Sequence, residues 1–178
     1  MSTGSTATVT VSNFDIGPCQ VVWNSVDLGG THDNVKIKFK YDKAFLTADQ
    51  FGKSKLDAAI SGIEATVTTS FLETRNKTNF GGLFPNAILN GSTHKYLDFV
   101  DRTGTRQLSL AGPLLLHPLV DASSSLDNEW YFYKALPMDD SEYDFGPAAQ
   151  AKLKITWTIL LDLSVTPGRM FRAGDHTL

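Results

Sequence analysis

Apolar residues recur at every second position along much of this chain. Val35, Ile37, Phe39 and Tyr41 alternate with Lys36, Lys38 and Lys40, and Ile63, Ala65, Val67, Thr69 and Phe71 alternate with Glu64, Thr66, Thr68 and Ser70. A period of two marks a strand with one face dry and one face wet. The longest such run places Leu153, Ile155, Trp157, Ile159, Leu161 and Leu163 opposite Lys152, Lys154, Thr156, Thr158 and Asp162, so it is the expected centre of the core. Shorter strands are predicted at Cys19–Trp23, Val26–Leu28, Lys95–Val100, Gln107–Leu116 and Asn128–Leu136. In the last of these, Trp130, Phe132 and Lys134 share one face and Tyr131 and Tyr133 the other. Pro113 lacks a backbone donor and requires a bulge or an edge within its strand.

Turn chemistry separates these runs. Gly17-Pro18, Asn24-Ser25, Gly29-Gly30 and Asp101-Arg102-Thr103-Gly104 are turn signals. Thr74–Phe84 suits a short helix with Thr74 as its N-cap, weakened by Gly81 and Gly82 and ended by Pro85. Asp139–Asp144 is expected to be an acidic loop closed by Gly146-Pro147. The strands Val35–Tyr41 and Ile63–Phe71 are separated by Asp42–Ser61, about 20 residues where hairpins usually need two to five. This stretch contains Phe45, Leu46, Phe51, Leu56 and Ile60, too apolar for a solvated linker. It is expected to be a long loop covered by its own domain or by another copy of the chain.

The 178 residues are enough for one domain with a substantial core. Residues 1–13 are rich in Ser and Thr and read as an N-terminal arm, or as an edge strand that orders on a partner, ahead of a single domain at 14–178. Sixteen basic and nineteen acidic residues give a formal charge of −3, unlike the basic surplus of a dedicated nucleic-acid binder. Cys19 is the only cysteine, which rules out an intrachain disulfide and a cysteine-rich zinc site. The first residues lack the basic start and apolar core of a leader peptide, and no apolar run is long enough for a membrane helix. No membrane insertion is expected.

Candidate chemistry is sparse. Gly52-Lys53-Ser54 ends like a phosphate-binding loop, but Thr47 stands where that motif needs glycine. His32, His94, His117 and His176 share no metal-ligand spacing, although any pair could meet in space. Asp139, Asp140, Glu142 and Asp144 could hold calcium but lack the glycine and ligand order of an EF-hand loop. There is no nucleophile elbow, and Cys19 has no sequence-local activating partner. No catalytic, metal or cofactor site is predicted. Lys36, Lys38 and Lys40 form a stripe that either guards a strand edge or pairs with charges on a neighbouring subunit. Trp23, Trp130 and Trp157 are read as core rather than as a stacking platform.

The ordered segments VDLGG-T, LTADQFG-S-LD and SGIEATVTTSFLE resemble the tail tube (major tail) proteins of long-tailed bacteriophages. The likeness is densest over residues 17–73. It continues more loosely through LFPNA, LSLAGPLLLHP, KALP and ITWTILLDLSV. The resemblance implies a mainly β subunit, a β-sandwich or partial barrel with one short flanking helix and a long inter-strand loop. It implies stacked, hexameric rings whose channel conducts DNA, and a place in the virion tail after synthesis in the host bacterial cytoplasm. The partners implied are other copies of the chain, the tape-measure protein, and the terminator and baseplate proteins, with DNA passing non-specifically. Phe45, Leu46, Asp49, Gln50, Phe51 and Leu56 would then make contacts between rings, and Lys36, Lys38 and Lys40 contacts between subunits. The family expectation of an acidic lumen sits uneasily with the lysine stripe if that face lines the channel. A carbohydrate-binding β-sandwich and the tube protein of type VI secretion are the alternatives.

Overall fold

The computed structural model describes residues 18–31, 33–47, 54–72, 76–84, 86–144 and 151–177. The chain is mainly β. Its strands are β1 (Cys19–Trp23), β2 (Val26–Asp27), β3 (Lys36–Thr47), β4 (Lys55–Phe71), β5 (Ala87–Asn90), β6 (Tyr96–Phe99), β7 (Gly112–Pro118), β8 (Trp130–Asp144), β9 (Lys152–Ile159) and β10 (Phe171–Ala173), with a short helix α1 (Lys77–Gly82). One antiparallel sheet runs β2-β1-β7-β8-β9-β4-β3, and β10 adds to β8; β5 and β6 form a separate hairpin.

Alternation explains the centre of this sheet. The β4–β9 register sets Ala65 opposite Ile159, Val67 opposite Trp157, Thr69 opposite Ile155 and Phe71 opposite Leu153, and all eight side chains are buried. Burying a large apolar side chain contributes about 1.5–3 kcal/mol, so these rows alone fix the register against a one-residue slip. The Trp157 indole N–H would be costly to bury without a partner. It donates to Thr69 Oγ1 at 2.9 Å, from the facing row.

The sheet folds onto itself along β8. The start of β8 pairs with β7 and β10, whereas the strand pairs with β9 from Ala135 onward, with a register shift between Leu136 and Asp140. The two halves meet in one core: Val21, Leu114, Leu116 and Phe132 pack with Val67, Ile155 and Trp157. Trp23 of β1 lies 5.5 Å from Trp157 between ring centroids, and Phe39 of β3 stacks on Phe171 of β10 at 4.6 Å. All three tryptophans therefore lie in or against the core, as expected.

Several boundaries differ from the expectation. The connection between the first two long strands is mostly strand, because β3 and β4 stay paired from Lys36↔Thr68 out to Thr47↔Lys55. The last long strand stops at Ile159, where pairing to both β4 and β8 ends; Leu161 and Leu163 lie beyond it, 47% and 76% exposed. Gln107–Leu110 is a 3-10 turn, and the strand starts only at Gly112. Pro113 falls at a register shift, so its missing donor breaks no regular ladder. The acidic stretch expected as a loop belongs to β8. Helix α1 starts at Lys77, and the Asn79 N–H donates to Asn76 Oδ1 at 3.4 Å, so the capping side chain is Asn76; the expected cap, Thr74, lies outside the described residues, as do the 1–13 arm and Gly146-Pro147. Asn24-Ser25 is a turn with positive φ at both positions, which suits a two-residue hairpin between β1 and β2.

Candidate assembly surface

The most distinctive feature outside the core is the outer part of the β3–β4 hairpin. Strand β4 is held by β9 only from Ala65 onward, yet it stays paired to β3 back to Lys55. The ten residues before Ala65 therefore extend beyond the body of the sheet. At about 3.3 Å per residue this arm is about 30 Å long.

Its side chains are unlike those of a solvated hairpin. Tyr41, Phe45, Leu46, Leu56, Ile60 and Ile63 are 42% to 62% exposed. Residues paired across an antiparallel ladder share a face. Tyr41 with Ile63, Lys43 with Ile60 and Phe45 with Ala58 make one face, a continuation of the core-facing row Ile37 and Phe39. A register shift between Asp42 and Lys43 moves the partner from Gly62 to Ile60. Ser61 is thereby the extra residue of a bulge, and Ile60 turns onto the apolar face that Ser61 would otherwise occupy. The Lys55 ammonium sits 3.7 Å from the Phe45 ring centroid, a cation–π contact that orders the arm locally.

Of the residues expected to join rings, Phe45, Leu46 and Leu56 are on this arm and exposed. Phe45 lies on the face of Ile60 and Ile63, Leu46 on the opposite one, paired with Asp57. Asp49, Gln50 and Phe51 lie outside the described residues. Sequence reasoning missed that Ile60, Ile63 and Tyr41 belong to the same surface, because it placed the first in a loop and the others on the dry faces of two separate strands. The signal was present in the even spacing of Ala58 and Ile60, but only the bulge reveals the face.

Lys36, Lys38 and Lys40 point outward from β3, an edge strand among the described residues. Lys40 contacts Glu64 at 3.1 Å and Asp42 at 3.3 Å. The hydrogen bond to Glu64, then that to Asp42, raises the Lys40 pKa above the usual lysine range. On the same polar face Lys152 pairs with Asp33 at 3.0 Å, and the β8–β9 register sets Lys154 opposite Glu142 and Lys152 opposite Asp144. The end of the acidic stretch is thus one side of a ladder of opposite charges. These groups line a shallow depression of about 410 Å³ with Lys36 and Asp33.

No cluster of three or more His, Cys, Asp or Glu suited to a metal ion occurs among the described residues. Gly52 and Lys53 of the phosphate-loop-like match, and His32, lie outside them. His94 is exposed. His117 and His176, unrelated by spacing, are brought together by the fold at Glu129. Burial raises the Cys19 thiol pKa, which lowers its thiolate fraction. No helix among the described residues is long and apolar enough to cross a membrane. No protein-family model matches the chain, and no curated protein does either.

Proposed function

We propose that this chain is a structural subunit that polymerises with its own copies into stacked rings, as a tube protein of a long-tailed phage. The single observation carrying this proposal is the arm formed by the outer parts of β3 and β4. It holds a row of large apolar side chains outside the subunit's own core, and a contiguous exposed apolar surface of this kind marks a protein contact. Within the tube the arm packs its Tyr41, Phe45, Ile60 and Ile63 face against the next ring. Burying the exposed half of these four side chains contributes about 3–6 kcal/mol gross per subunit before ordering costs.

Two further features fit. Among the described residues the folded sheet ends in edges at β2 and β3, and a ring of copies removes such edges. The polar face of β3, β4 and β9 pairs two of its lysines with carboxylates: Lys40 with Glu64 and Asp42, Lys152 with Asp33. A lysine that already has a counterion binds phosphates weakly, which suits these two to the wall of a channel through which DNA slides. Tape-measure, terminator and baseplate proteins are the further partners, and the virion tail the location, that this role entails. A carbohydrate-binding module is disfavoured because Trp157 is wholly buried and Trp23 packs on it.

The test is a shortened chain in which 43–61 is replaced by Asn-Gly, joining Asp42 to Gly62 by a two-residue turn. Circular dichroism should report a folded subunit, and electron microscopy should show hollow tubes from the wild type but none from the shortened chain. Tubes from both, or from neither under tube-forming conditions with the wild type strictly monomeric, would overturn the proposal.

A further inference from the structure

Among the described residues two long stretches of the folded sheet leave a backbone edge open. One is β3, whose ladder partner is β4. The other is the end of β8. Its first residues pair with β7 and β10, but from Ser141 to Asp144 it pairs with β9 on one side only. The far end of the sheet, β2, consists of Val26–Asp27 alone and offers little edge to pair with.

The two long edges carry opposite charges on one face of the sheet. Residues opposite each other across an antiparallel ladder share a face. Lys36 stands opposite Thr68, and Thr68 opposite Thr156. By alternation Lys154 and Lys152 lie on the same side of β9, where they face Glu142 and Asp144 of β8. Lys36 and Lys38 are therefore at one margin of this polar face, and Glu142 and Asp144 at the other, all exposed. The ion pairs of the face join Lys40 to Glu64 and Asp42, and Lys152 to Asp33. Lys36, Lys38, Glu142 and Asp144 enter none of them.

Resting on the reading of the chain as a ring-forming subunit, we propose that the β3 edge of one copy pairs with the β8 edge of the next, setting Lys36 and Lys38 against Glu142 and Asp144 of that neighbouring copy. Strand direction fits this seam. β8, β9, β4 and β3 are antiparallel in turn, so β3 runs opposite to β8. A rotation about an axis along the strands preserves direction, and β3 then meets the next β8 as an antiparallel pair, the more stable ladder. Pro137, which has no N–H, and the register shift between Leu136 and Asp140 confine the seam to the end of β8, the part that carries the acids. Charge also excludes the competing contacts. Two β3 edges together would set lysine against lysine, and two β8 edges carboxylate against carboxylate. The stripe thereby selects a head-to-tail contact, which closes into a ring, over a symmetric dimer.

Sedimentation of full-length charge variants tests this. One variant reverses the β3 side, Lys36→Glu with Lys38→Glu; the other reverses the β8 side, Glu142→Lys with Asp144→Lys. Each alone has like charges at every seam, so self-association should weaken at least about tenfold, with the circular dichroism of the wild type. An equimolar mixture should regain association, because alternating copies match every seam. The chain carrying all four reversals should regain it alone. Glu142→Gln with Asp144→Asn, which sets no new charge beside Lys152 and Lys154, should also weaken association and replaces the lysine variant if that one unfolds. Either side's variant associating as the wild type does, or a mixture no better than its components, would overturn the seam while leaving the arm contact standing. A wild type that stays monomeric at every concentration would overturn the ring reading and the seam together.

Discussion

Trp157 shows how one residue ties the two halves of the sheet together. Its ring is fully buried, packs against Trp23 across the core and donates to Thr69. Trp157→Ala removes the packing and leaves a large cavity, so a loss of about 3–5 kcal/mol is expected. Trp157→Phe keeps most of the volume but leaves the Thr69 hydroxyl without its donor, for an expected loss of about 1–3 kcal/mol. Urea denaturation of both variants checks the order; equal midpoints would show that the ring volume kept by Phe contributes nothing beyond the lost hydrogen bond. The same contrast of satisfied and unsatisfied polar groups separates Thr69, paired in the core, from His117, whose second nitrogen has no partner among the described residues.

At the scale of the element, the β3–β4 hairpin has two parts with different physical roles. Its inner part is held by β9 and by the core, whereas among the described residues its outer part pairs only within its own ladder. Substitutions in the outer part should therefore separate folding from assembly. Phe45→Asp with Ile60→Asp removes apolar surface that touches little of the subunit. The melting temperature should scarcely move, since exposed sites usually change stability by within about 0.5 kcal/mol. Light scattering should show self-association weakened by at least about tenfold, because two charges would be buried in the contact. A large drop in melting temperature with association intact would instead make the arm part of the subunit's own core.

Across the whole molecule, stability is unevenly distributed. Strands β4, β8 and β9 share long ladders at the centre of the sheet, while α1 and the β5–β6 hairpin pack mainly on one another, with Gly81 close to Leu97. Leu83 joins this unit to the main core, and Phe84 packs against that core and against Phe99 of β6. Ile88, Leu89, Tyr96 and Phe99 remain exposed. Native-state hydrogen exchange should then give the slowest amides in β9 and its partners, with β5 and β6 opening at much lower free energy. Uniform protection across both sheets would show a single cooperative unit.

Most of the core was legible in the sequence because a period of two has only one physical cause. Val67, Thr69, Phe71, Leu153, Ile155, Trp157 and Ile159 alternate, and a strand buried on one face is the arrangement that keeps them together and dry. Likewise Asn24-Ser25 announced its turn, and Pro113 its break in the ladder. What alternation cannot encode is how far a strand stays paired, since that depends on where its neighbours part from it: Leu161 and Leu163 keep the pattern after β4 has run on with β3 and β8 has turned to β7 and β10. Nor could the spacing of Phe45, Leu56 and Ile60 show that the residues between two strands would stay paired, because a bulge at Ser61 breaks the period while preserving the apolar face. The meeting of His117 and His176 at Glu129 was invisible for a related reason. Each residue lies in an unremarkable local context, and only the tertiary fold brings β7 and the β10 segment to the same buried carboxylate.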